Sequence, residues 1–155
     1  MTAVPAQFQT IYLASDHAGF AHKEQIRSWL LSEGFAIVDV GAYVLNPLDD
    51  FPGFMQAAAK GVAHNPDSNC AIIFGGSGQG EAMAANRIKG VRATVYYGGN
   101  ESIVTLSREH NNANVLSIGA RFVAVDDAKK VIWNWLHTAT NSDEKYQRRN
   151  RALDV

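Results

Sequence analysis

The chain carries a single cysteine, Cys70, in 155 residues, so no intrachain disulfide framework is available and a reducing, cytoplasmic setting is expected. It has no excess of charge. With 14 Lys and Arg against 15 Asp and Glu, a net charge of −1 gives no reason to expect a nucleic-acid or anionic-membrane partner. No apolar run approaches the roughly 18 residues of a membrane span, and residues 1–10 lack the basic and apolar segments of a secretory leader. There is no repeat, low-complexity tract or linker, so 1–155 is expected to form one domain, with a core over about 11–137 and a basic tail at 143–155. Hydrophobic residues at 46% and charged residues at 19% are ordinary globular usage.

What is present is an alternation. Segments 11–14, 35–40, 70–74, 91–96 and 115–118 are short, apolar and rich in β-branched or aromatic residues, which predicts five strands covered on both faces. Between them, 20–32 sets Ile26, Trp29 and Leu30 at helical spacing and stops before Gly34. Segments 54–63, 81–88, 101–110 and 126–137 read as further helices, and 46–52 as a loop. Strand-helix alternation implies a parallel sheet with helices on both sides.

In such a sheet ligands bind beyond the carboxyl ends of the strands. Strand one runs into Ser15-Asp16-His17-Ala18-Gly19, strand two into Gly41-Ala42-Tyr43 and strand five into Gly119-Ala120-Arg121. Strand three runs into Gly75-Gly76-Ser77-Gly78-Gln79-Gly80-Glu81, where closely spaced glycines let backbone N–H groups turn inward as an anion nest. A carboxylate is out of pattern there, and Glu81 suggests chemistry on an oxyanion. The helix before strand five closes with Arg108-Glu109-His110-Asn111-Asn112, and one edge of the sheet is expected to collect all these groups.

Taken singly, each has an ordinary explanation. Asp16 is a helix cap, His110 a helix-end imidazole, Arg121 a loop cation, and Lys145, Arg148, Arg149 and Arg151 a solvated helix face or frayed tail. Their shared location favours function, and Arg and Lys close in sequence suit phosphate. A dinucleotide site is disfavoured because the spacing is G-x-G-x-G after the third strand, although Glu101 lies about twenty residues on. The five histidines show no metal-ligand spacing. Cys70 opens its strand at the end away from the site and reads as a buried filler.

The motifs Asp16-His17-Ala18-Gly19, Asp50-Phe51-Pro52, Gly76-Ser77-Gly78-Gln79-Gly80-Glu81, Ala84-Ala85-Asn86-Arg87, Gly90-Val91-Arg92-Ala93, Arg108-Glu109-His110-Asn111 and Gly119-Ala120-Arg121 follow one another in order. Together they resemble the type B ribose-5-phosphate isomerases and related sugar-phosphate isomerases, over about 11–136. The resemblance implies a three-layer α/β/α Rossmann-like sandwich with a five-stranded parallel sheet. It also implies a homodimer or homotetramer with active sites at the subunit interface, and no metal or organic cofactor. Part of that family carries a catalytic cysteine where this chain has Gly75; another branch has a glutamate at the place of Glu81, and this chain resembles that branch. Many members have an Arg-His pair where this chain has Lys145-Tyr146, with Arg149 four residues beyond Lys145.

By that resemblance the chain is expected to isomerise an aldose phosphate to a ketose phosphate, most simply ribose 5-phosphate to ribulose 5-phosphate. Related enzymes take galactose 6-phosphate, allose 6-phosphate or four-carbon ketose phosphates, and a binding module that has lost the chemistry is the alternative of another class. Glu81 is the expected general base, its pKa raised by partial burial, and the N–H groups around Gly76, Ser77, Gly78 and Gly80 the expected oxyanion cradle. His110 is expected to open the sugar ring, with Asp16 or Ser77 handling the opposite oxygen. Asn111 would hold hydroxyls or share the oxyanion. His17, Arg121 and Arg149, and more weakly Lys145, are the expected phosphate contacts, with Tyr43 and Asp50 as possible pocket lining.

Overall fold

The structure is a computed structural model that describes residues 6–154; residues 1–5 and 155, the ends of the expected domain and tail, lie outside the described residues. The elements run β1 (Thr10–Ser15), α1 (Phe20–Ser32), β2 (Ala36–Asp39), α2 (Phe51–His64), β3 (Asn69–Gly75), α3 (Gln79–Ala85), β4 (Ala93–Tyr96), α4 (Ser102–Asn111), β5 (Val115–Gly119), α5 (Val125–Leu136) and α6 (Glu144–Leu153). All five strands pair in parallel, in the order β2-β1-β3-β5-β4.

Alternate side chains of each strand feed separate cores. Ile11 and Leu13 of β1, Ile72 and Phe74 of β3, and Leu116 and Ile118 of β5 pack with Ile26 and Leu30 of α1, Val104 of α4, and Val131, Ile132 and Trp135 of α5. The opposite face sets Ala14, Ala71, Ile73 and Val115 against Met55, Ala58, Ala59 and Val62 of α2 and Ala84 and Ala85 of α3. The expected three-layer sandwich is the observed one. Both cores are contiguous apolar surfaces removed from water, the dominant favourable contribution to such a fold.

Boundaries moved where local chemistry permits it. The helix expected from residue 54 starts at Phe51, because Pro52 lies in its first turn, where a missing N–H leaves no helical acceptor unpaired. Segment 46–50 alone remains a loop. The helix expected over 81–88 runs Gln79–Ala85, and the basic tail forms the regular helix α6. An aspartate starts that helix: the Asp143 side chain accepts from Lys145 N–H at 2.9 Å.

The order of strands places the crevice. The connection leaving β1 goes by α1 to β2 on one side, and that leaving β3 goes by α3 to β4 on the other, so the chain diverges between neighbouring β1 and β3. Residues 16–19 and 76–80 flank this gap, as expected. They are held close together: a Cβ on Gly19 would lie 2.5 Å from the carbonyl carbon and Cβ of Phe74. Backbone cannot retreat as a flexible side chain does. Gly19→Ala is therefore expected to destabilise the fold by about 1–3 kcal/mol, read as a lower midpoint of urea unfolding. An unchanged midpoint would show that this close approach constrains nothing.

Candidate active site

The turn after β1 is shaped by Asp16, whose Oδ1 accepts from Gly19 N–H at 3.1 Å while the residue is buried. The expected cap role is corrected: α1 is capped at Gly19 without a side-chain bond, and Asp16 braces the turn that precedes the helix. Beside it, His17 is held by Asp49: one carboxylate oxygen accepts from the His17 backbone N–H at 3.1 Å and lies 2.7 Å from ring Nδ1.

The glycine loop is clamped by the end of β5. Ala120 N–H donates to Gly75 O at 2.8 Å, Arg121 N–H to Gly76 O at 3.1 Å, and the Ser117 hydroxyl to Gly78 O at 2.6 Å. Gly78 sits at φ +79, left-handed backbone that favours glycine, and a Cβ there would also press on the backbone joining Ile118 to Gly119 at 3.1 Å. Ser77 Oγ accepts from Gln79 N–H at 3.3 Å, which leaves its own proton to donate. A Cβ on Gly76 would lie 3.1 Å from Arg121 Nη1, so that guanidinium lies over the loop.

Glu81, in the first turn of α3, is only 5% exposed. Its carboxyl group folds back over Gly75, where any Cβ would collide with Oε1, Oε2 and Cδ. Burial pushes the Glu81 pKa above the ordinary carboxylate range, and the nearby Asp16 charge pushes the same way. The N–H groups of Glu81 itself and of Gly78, and the Arg121 charge, act against the rise. Gly78 N–H is thereby spent partly on this carboxylate instead of standing free in the cradle. Gly80 has a packing task as well, since a Cβ there would meet the Phe51 ring at 2.9 Å.

The remaining expected residues are elsewhere in the chain. Helices of a parallel sheet run against the strands, so α4 ends at the edge where β5 begins; Asn114, two residues beyond the Asn112 cap, donates its N–H to Arg92 O just before β4. His110 and Asn111 therefore lie at the amino edge of the sheet, roughly 15–20 Å along the strands from the Glu81 end. The expectation of a single edge collecting every group is corrected: strand direction separates them. His110 instead stacks on Tyr146 of α6, with ring centroids 4.7 Å apart and planes within 6°, and its carbonyl accepts from Asn150 Nδ2 at 3.1 Å. Lys145 and Arg149, one helical turn apart on α6, are exposed beside this stack, and Lys145 Nζ lies 4.9 Å from the Tyr146 ring.

Helix α6 is itself fastened at this edge. Arg92 Nη1 donates to both carboxylate oxygens of Asp154 at 3.1 and 3.0 Å, and Arg92 Nε to Asn112 O at 3.1 Å. A cleft of about 360 Å³ lies here, lined by Asn86, Arg92, Ser107, Asn111 and Leu153 among others. Arg108, two residues before His110, points into the core against Phe8 and Trp135 and donates to Ala113 O at 2.6 Å; burial lowers its pKa to about 10.

Sequence reasoning missed Asp49 and Tyr146. The Asp50-Phe51-Pro52 motif points to Asp50, but Asp50 is the exposed residue before α2, and its neighbour Asp49 is the one that meets His17. Tyr43 is 71% exposed, its hydroxyl donating to Asp39 O at 3.2 Å. Among the described residues one group of metal-capable side chains converges, Asp16, His17 and Asp49, with one ligand atom from each within 4.8 Å of the others. His17 Nδ1 is already engaged by Asp49 there. Cys70 is fully buried and burial holds its thiol protonated, in keeping with a filler. No described helix is long and apolar enough to cross a membrane.

The raised Glu81 pKa has a stability consequence with a definite sign. Its unfolded value is near 4.5 and its folded value higher, so the stability associated with the protonated group is fully present below pH 4.5 and is lost as pH rises through the folded value. Glu81→Gln removes this loss. Urea unfolding at a series of pH values is expected to show the variant gaining on the parent as pH rises from below 4.5 to neutrality, whereas parallel curves would contradict a buried, ionising Glu81.

The chain matches the model of the Ribose/Galactose Isomerase family over residues 11–153. It is 39% identical over 139 residues to the ribose-5-phosphate isomerase B of Mycolicibacterium paratuberculosis, covering 90% of this chain and 86% of the relative. Against the Escherichia coli ribose-5-phosphate isomerase B the identity is 32% over 143 residues, covering 92% and 93%. Among solved structures, ribose-5-phosphate isomerase B from Mycoplasma genitalium with bound ribulose-5-phosphate superposes with a TM-score of 0.87 at 35% identity, covering 93% of each chain. With a family match that spans the glycine loop, Glu81 and both sheet edges, the chain belongs to the ribose/galactose isomerase family.

Proposed function

We propose that this chain is an aldose-ketose isomerase that interconverts ribose 5-phosphate and ribulose 5-phosphate in the cytoplasm, as a homodimer or a pair of such dimers. The observation that carries the reading is the Glu81 carboxyl group, buried over Gly75 at the carboxyl end of β3 with its pKa raised. Relatives named ribose-5-phosphate isomerase B, and the Mycoplasma genitalium structure holding ribulose-5-phosphate, support this choice of sugar.

In the open aldehyde, Glu81 takes the C2 proton and returns it to C1, while a proton passes from O2 to O1 through a cis-enediolate. A carboxyl group of raised pKa is a better match for both transfers near neutrality than an ordinary one. Loop N–H groups, with Ser77 and Gly76 nearest the strand end, face the developing oxyanion, a contribution of roughly 3–4 kcal/mol per well-placed donor. His17 and Arg121 bind the phosphate from the same subunit. Ring opening needs an acid and a base that exchange protons near neutrality, a role that suits the His110 imidazole; His110 stands at the far edge, so it is the partner subunit's His110 that acts, with Asp16 or Ser77 on the other oxygen. The partner's Asn111 holds hydroxyls, and the partner's Arg149 and Lys145 complete the phosphate site.

Two experiments test this. Glu81→Gln is expected to lower kcat on ribose 5-phosphate by roughly 10²–10⁴-fold at nearly unchanged KM; retention of more than a tenth of the parent kcat would exclude Glu81 as base. Mixing Glu81→Gln subunits with His110→Ala subunits is expected to restore activity. In a mixed dimer with shared sites, one site holds both defects and the other holds neither. No recovery after subunit exchange would place both residues in one subunit's site.

A further inference from the structure

Asp49 belongs to the segment between β2 and α2, where residues 43–48 are all exposed, yet its own side chain is only 8% exposed. Burying a carboxylate is costly unless its lone pairs are used. One oxygen, Oδ1, accepts twice from a single residue, His17, through the backbone N–H at 3.1 Å and ring Nδ1 at 2.7 Å. The other, Oδ2, is buried with no hydrogen-bond partner among the described residues. The loop reaches across 32 residues of sequence to place one carboxylate against one imidazole.

A carboxylate only accepts hydrogen bonds, so the ring nitrogen 2.7 Å from it must be the protonated one. That assigns Nδ1–H to His17 and leaves Nε2 as the atom free to meet a ligand, on a side chain that is 32% exposed. The backbone contact to the same oxygen fixes the turn from which the ring springs. Together the two bonds remove the ring's freedom to flip or to exchange tautomers, the arrangement by which carboxylates orient working imidazoles elsewhere.

We infer that Asp49 is the positioning residue for His17, holding the imidazole in the Nδ1–H form and aiming Nε2 at the phosphate of the sugar phosphate. This rests on the reading of His17 as a substrate contact given above. Asp49 touches no reacting atom, so its loss acts on binding and not on proton transfer. Removing it frees the ring, and ordering that ring must then be done at each binding event.

The test is a double-mutant cycle on the full-length protein with ribose 5-phosphate. Asp49→Ala is expected to raise KM about tenfold with kcat within a factor of about two, as for loss of a uniform binding contribution. Asp49→Asn keeps an acceptor oxygen for both His17 N–H groups and is expected to restore most of the affinity. In a His17→Ala background, Asp49→Ala is expected to add nothing further, because its effect passes through a ring no longer there. If His17→Ala leaves KM unchanged, His17 is not a substrate contact and the Asp49 role falls with it. If His17→Ala raises KM but Asp49→Ala does not, or the two effects add independently, the Asp49 role alone is overturned. Imidazole nitrogen shifts of the unmutated, ¹⁵N-histidine-labelled protein supply a readout independent of folding in the variants. The neutral His17 ring is expected to carry its proton on Nδ1, and a neutral form carrying its proton on Nε2 would refute the assignment.

Discussion

The site depends on one piece of vacant volume, the missing side chain of Gly75. The Glu81 carboxyl group occupies the place where a Cβ would project from the last residue of β3, and there it lies beside Asp16 and within the field of Arg121. Any side chain at 75 would evict it. That steric exclusion accords with the expected resemblance to the branch with a glutamate at the place of Glu81, whose carboxyl group needs a glycine at 75. The clamp of β5 on the loop, through Gly75 O, Gly76 O and Gly78 O, holds that volume open and rigid.

Sheet and layers were legible because they rest on local signals. Apolar runs of strand length alternate with helical spacings, and the early start of α2 has a local cause, Pro52 being tolerated in a first turn. The first half of the site was legible for the same reason: residues that directly follow strands of a parallel sheet must lie at its carboxyl edge. Asp16, His17, Ser77, Glu81 and Arg121 lie at that edge by this rule. His110 and Asn111 follow a helix, and a helix that returns antiparallel to its strands delivers its last residues to the opposite edge. Applying one edge rule to both kinds of segment was the error.

Asp49 and Tyr146 carried no such signal. Each matters through a partner distant in sequence, His17 at 32 residues for Asp49 and His110 for Tyr146, and neither contact leaves a periodicity or a spacing to read. Basic residues of the tail were visible, but their order was not. A run with four cations in seven residues predicts a solvated face or a frayed end equally well; what makes it a helix docked on α4 is the Arg92 grip on Asp154 and the Asn150 bond to His110 O.

The separation of the two groups explains why the proposed chemistry asks for two subunits. One edge holds the carboxyl base, the glycine loop and one exposed arginine; the other holds an imidazole stacked on a phenol ring and a pair of exposed cations. In the proposed mechanism, proton transfer between carbons draws on the first set, and ring opening and neutralisation of the phosphate draw on the second. Rigid helices and a parallel sheet leave no route by which one copy can fold its amino edge onto its carboxyl edge, since that would demand breaking the strands between them. In the proposed dimer, opposed edges of two copies meet without any such strain, and exposed cations of one copy would approach a site that contains Asp16, Asp49 and Glu81. A phosphate held between Arg121 and the partner's Arg149 would then bind both copies at once, so in the proposed dimer substrate and interface stabilise each other.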